Sequence, residues 1–72
     1  MSDIQELKEK YKREFRRIYY EPEIKLLKII IVDEGTAIIY AHFPDGSFYF
    51  VVQEHMISCS YDSLEEAQRS IR

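Results

Sequence analysis

The sequence predicts a small α+β domain: an N-terminal helix, an antiparallel β-meander of three or four strands, and a short C-terminal helix, with both helices on one face of the sheet. Three observations carry this. Apolar residues recur at helical spacing through residues 1–20, β-rich runs between Ile24 and Gln53 are broken by tight-turn residues, and Ser63-Leu64-Glu65-Glu66 is a helix-start signal. All 72 residues read as a single domain, with no internal repeat, low-complexity tract or linker.

Ser2 or Asp3 can cap the first helix, whose apolar residues fall at Ile4, Leu7, Tyr11, Phe15 and Ile18. At 100° per residue these occupy about 80° of arc, with Tyr19 at the margin. Lys8, Lys12, Arg13, Arg16 and Arg17 spread over the rest, with Glu6–Lys10 and Glu9–Arg13 spaced to pair along the helix. Pro22 disfavours helical geometry at Glu21, so the helix should stop near Tyr20.

Ile24 to Val32 is the richest β-branched run, apolar on both sides except for Lys28, and is expected as a central strand. Asp33-Glu34-Gly35 supplies a reversal with a glycine suited to positive φ. Thr36–Phe43 follows as a second strand. Pro44-Asp45-Gly46 has the order of a type I turn closing on a left-handed residue, and Ser47–Gln53 returns as a third strand. Gln53-Glu54 can reverse the chain again into a more polar fourth strand, His55–Tyr61. In the last helix Ser63 and Glu66 form a capping box, Leu64, Ala67 and Ile71 make a narrow apolar edge, and Arg69 and Arg72 favour its C-terminal dipole.

A chain this short buries only about 60% of its extended-state surface, and such domains commonly lean on a disulfide, a metal or a second subunit. The single Cys59 excludes an internal disulfide. A hydrophobic fraction of 46% with six Tyr and four Phe is too rich for disorder, and the apolar runs are too interrupted to span a bilayer, so no membrane association is expected. Residues 1–20 are too charged for a signal-peptide core, and a lone thiol suits a reducing compartment; a cytoplasmic protein is expected. The net charge of −3 is uneven: residues 1–20 hold six Lys/Arg against four Asp/Glu, residues 21–72 four against nine. The first helix is basic and the body acidic.

No catalytic constellation emerges, and the chain is expected to be a non-enzyme without metal or cofactor. His55 and Cys59 would stand ~13 Å apart on an extended strand, too far for one ion, and His42 lies on another strand. Cys59 lacks a visible base and is expected as a half-buried structural thiol. Two turn glycines cannot cradle a phosphate, and Asp33/Glu34 and Glu65/Glu66 are explained by turn and cap chemistry.

If both helices share one sheet face, the other face is apolar and uncovered, which marks an interaction surface. The expected function is a protein–protein interaction module, first a homodimer and further a regulator or inhibitor of a larger partner. Ile38, Tyr40, Phe48 and Phe50 are the candidates for self-association; Arg13, Arg16 and Arg17 are those for an acidic partner. The runner-up is nucleic-acid binding, with the basic helix following phosphates and Tyr40, Phe43, Phe48, Tyr49 and Phe50 stacking on bases. The sober alternative for both sets is a solvated helix face and core aromatics. Tidy loops and a capping box also suit a designed fold with no natural function, although the irregular Gln53–Tyr61 segment does not.

The helix–three strands–helix order is similar to that of double-stranded-RNA-binding domains, with Glu65 and Glu66 standing where that family carries its basic cluster. Phe43-Pro44-Asp45 followed by Ser63-Leu64-Glu65-Glu66-Ala67 resembles a fragment of HicB-type antitoxins, without that family's Pro-Gly-Cys segment. No motif residue carries over from either.

Overall fold

The computed structural model describes residues 3–54 and 56–71; Ser2, His55 and Arg72, invoked above as a cap, a strand start and a charge at the last helix's C-terminal end, lie outside the described residues. The chain runs α1 (Asp3–Ile18), β1 (Lys25–Asp33), β2 (Thr36–Phe43), β3 (Gly46–Gln53), β4 (Met56–Ile57) and α2 (Leu64–Arg69). The four strands form one antiparallel sheet in sequence order. The expected α+β element order is therefore the observed one.

The two turns work differently. Phe43 pairs with Gly46 across Pro44-Asp45, and Gly46 takes the expected positive φ, +142°. Gly35 does not adopt a positive φ; its amide instead donates to the Asp33 carboxylate at 2.9 Å. At the third reversal, between β3 and β4, the left-handed residue is Glu54, at φ 56°. The fourth strand is shorter than expected: Ser58 still bonds to Val51, its amide donating at 2.9 Å and its hydroxyl accepting at 3.0 Å, after which the chain leaves β3 and returns for a single bridge, Tyr61 to Tyr49.

The strand expected to be central, β1, is an edge strand, while β2 is the buried one. In a meander the first strand has only one neighbour, however apolar it is. Ala37, Ile38, Ile39 and Ala41 are wholly buried between β1 and β3. Along β1 the pairing shifts register between Leu26 and Lys28 and again between Ile31 and Asp33. These bulges shorten the regular stretch of that edge to Lys28–Ile31, and Lys25 and Lys28 charge it, which disfavours pairing with a second copy of itself.

The helices lie on opposite faces, not on one. Tyr11 and Phe15 of α1 pack with Ile24, Ala37, Ile39, Ala41, Phe50 and Val52. Ala67 of α2 packs with Ile38 and Val51, the residues that point the other way. β2 needs a lid on each side: two helices on one face would leave Ile38 and Val51 in water, at a loss of about 1.5–3 kcal/mol each. The helical stripe is also shorter than its periodicity implies, because Ile4 and Ile18 overhang the sheet at 58% and 53% exposure.

Candidate protein-binding face

Lid length decides what the sheet leaves open. On the α1 side, sixteen helical residues cover an aromatic core in which Phe15 meets Phe50 edge-on at 5.2 Å and Tyr19 contacts both Phe43 and Phe50. On the other side α2 has only six residues, and of these Ala67 alone is buried. It seals Ile38 and Val51, and the next row of the sheet is left half-covered.

That row is built by register. Lys28 pairs with Tyr40, Tyr40 with Tyr49, and Tyr49 with Tyr61, so a lysine and three tyrosines stand side by side across the sheet. The Tyr40 and Tyr49 rings stack at 4.3 Å, 23° from parallel, as cross-strand aromatic neighbours do. Reciprocal backbone bonds of 2.9 and 2.8 Å between Tyr49 and Tyr61 hold the third ring in line. All three tyrosines are partly exposed, and none of their hydroxyls bonds to another described residue. Beyond them the row Lys25–His42–Ser47 is polar, with His42 Nδ1 2.8 Å from the Ser47 hydroxyl. The surface thus grades from apolar under α2, through amphipathic rings, to polar.

The sequence-derived candidates divide across the sheet. Ile38 and Tyr40 are on the α2 side, whereas Phe48 and Phe50 pair with Ala41 and Ile39 and belong to the α1 side. Ile38 and Phe50 are moreover buried within the single chain, at 0% and 3% exposure. The four form no common surface, because strict alternation sends them to opposite faces; Tyr40 alone remains on the open row. Two partners were missed for self-association: Tyr49, named above only as a base-stacking ring, and Tyr61. The first was legible, since a two-residue turn at Pro44-Asp45 pairs Phe43 with Gly46 and hence Tyr40 with Tyr49.

No family model, curated protein or solved structure matches this chain. Its site therefore rests on geometry alone.

The arginines also separate. Arg16 is a structural clamp: its guanidinium donates to the carbonyls of Glu21 at 3.0 Å and Ile24 at 2.7 Å, closing the α1–β1 connection. Arg17 pairs with Glu14 at 3.1 Å in an exposed bridge, and Arg13 is exposed. The expected Glu6–Lys10 and Glu9–Arg13 pairs are not formed, so Arg17–Glu14 is the salt bridge found among the described residues. The cations of α1 lie on the side away from the tyrosine row, and Phe43, Phe48 and Phe50 are engaged in the core. The two halves of a nucleic-acid surface, basic helix and exposed sheet aromatics, are thereby placed on opposite sides of the molecule.

Cys59 is exposed, not half-buried, because it falls where the chain has left β3. Among the described residues no group of three or more His, Cys, Asp or Glu side chains gathers into a metal-holding cluster. No helix among them is long and apolar enough to cross a membrane.

Proposed function

We propose that this protein is a non-enzymatic protein–protein interaction module that self-associates through its tyrosine row. The observation that supports this reading is the half-covered alignment of Tyr40, Tyr49 and Tyr61 beside a lid of six residues. Tyrosine buries a large, stiff ring at little entropic cost and keeps a hydroxyl for a hydrogen bond, which is why it is enriched in interfaces.

A second copy suits this surface by charge. Lys28 stands at the β1 end of the row and exposed Asp62 follows Tyr61 at the other. When two sheets meet face to face about a two-fold axis parallel to their strands, each copy's β1 end lies over the other's Tyr61 end. The tyrosines then meet while Lys28 of each chain approaches Asp62 of the other, an isologous and closed arrangement. The exposed free Cys59 suits a reducing compartment such as the cytoplasm.

Light scattering coupled to size-exclusion chromatography tests the reading. Mass should rise from monomer to dimer as concentration approaches about 1 mM, the range of a weak association. Lys28→Glu should keep the chain monomeric, and Asp62→Lys added to it should restore the dimer, since both residues are exposed and the fold does not depend on them. A wild-type chain that stays monomeric throughout rejects the proposal.

A further inference from the structure

A second surface lies on the far side of β1, where α1 and the strand's outer edge enclose an open groove of about 380 Å³. Lys8 and Lys12 line it from the helix, Leu27 and Lys28 from the strand, and Glu9 is its acidic residue. None of the three lysines makes an ion pair with a described residue, and no described residue pairs with the outer edge of β1. The bulge at the Leu26/Lys28 shift leaves Leu27, an apolar side chain, 53% exposed in this basic setting.

We propose that this groove binds an acidic peptide segment in extended conformation, which adds to the sheet beside β1. A free strand edge offers alternating amide donors and carbonyl acceptors, which an extended peptide matches and a phosphate backbone does not. Lys8 and Lys12, on the α1 side, select the charge of the side chains that the added strand points toward α1. The two bulges limit regular pairing to Lys28–Ile31, so the paired stretch is about four residues, roughly 13 Å long. A second copy of β1 is a poor occupant. Edge-to-edge pairing would bring two sets of Lys8, Lys12, Lys25 and Lys28 together, and like charges at close range are repulsive.

The probe is a fluorescein-labelled peptide of alternating glutamate and valine, titrated with the full chain and followed by fluorescence anisotropy and by backbone amide shifts. Saturable, salt-weakened binding is expected, with shifts centred on Leu26–Ile31. Lys8→Glu with Lys12→Glu should weaken it by about tenfold or more, and N-methylating the valines should abolish it by removing strand donors. These helix-surface changes do not touch the tyrosine row, so self-association should persist in the double variant and the two readings stand or fall separately. Absence of saturable binding, undiminished affinity in the double variant, equal binding of a lysine–valine peptide, or shifts outside β1 and α1 would each overturn the proposal. So would an inert peptide together with a single-stranded DNA oligonucleotide that binds these same lysines.

Discussion

The phenolic hydroxyl of Tyr11 donates a 2.9 Å hydrogen bond to the main-chain carbonyl of Glu34, joining the middle of α1 to the β1–β2 turn across 23 residues of sequence. The ring is buried in the core that α1 shares with the sheet, so one side chain both packs and positions the helix. Tyr11→Phe keeps the packing and loses the bond, and should cost about 1 kcal/mol in urea unfolding near neutral pH.

The same residue sets an alkaline limit. Burial, and secondarily the Asp33 carboxylate, holds the Tyr11 proton more tightly than in the unfolded chain, raising its pKa above the ordinary tyrosine value. The neutral phenol is thus favoured by folding. Its stabilising contribution is fully present below about pH 10, where both states are protonated, and falls as pH rises from there through the higher folded value. Wild type should lose stability more steeply than Tyr11→Phe as pH rises above about 10, read by urea midpoints at each pH. Parallel curves would show that the phenol does not ionise differently on unfolding.

Neighbouring arginines should respond unequally. Arg16→Met removes two charge-assisted bonds to the carbonyls of Glu21 and Ile24 and should cost about 1.5–3 kcal/mol. Arg17→Met breaks only an exposed pair and should cost less than about 0.5 kcal/mol. Thermal midpoints of the two variants, measured together, check the contrast.

The short helix α2 depends on its first turn and on one small residue. The Ser63 hydroxyl accepts from the Glu66 amide at 3.2 Å, while the reciprocal side-chain bond of a full capping box is not formed. Ser63→Ala should cost about 1 kcal/mol. Ala67→Leu, forced against Ile38 and Val51, should cost about 1–3 kcal/mol by overpacking. Amide exchange at Ile38 and Val51 should quicken in both variants, more than it does at Ile39 and Phe50 on the α1 side.

Backbone sign separates the glycines. Gly46→Ala places a Cβ on a residue at φ +142° and should cost about 1–3 kcal/mol. Gly35→Ala meets nothing within 4 Å and has no positive φ to maintain, so it should be within about 0.5 kcal/mol of wild type. Glu54→Gly relieves a left-handed non-glycine residue and should stabilise by up to about 1 kcal/mol. Equilibrium unfolding of the three variants orders them.

Local chemistry by itself determined the element order. A stripe at helical spacing, the Pro44-Asp45-Gly46 tight turn, and the Ser63 cap each state their structure within a few residues. Even the Tyr40–Tyr49 pair follows from the turn length. Which helix covers which face was not local information. Leu64, Ala67 and Ile71 name an apolar edge without naming its partner, and only the Tyr61–Tyr49 bridge delivers that edge to Ile38 and Val51. Likewise the β-branched run in β1 looked central because hydropathy counts side chains, whereas position in a sheet is set by how many neighbours the connections allow. The tertiary structure therefore decided the site: alternation of side chains creates two faces, but only packing reveals that one has a long lid and the other a short one.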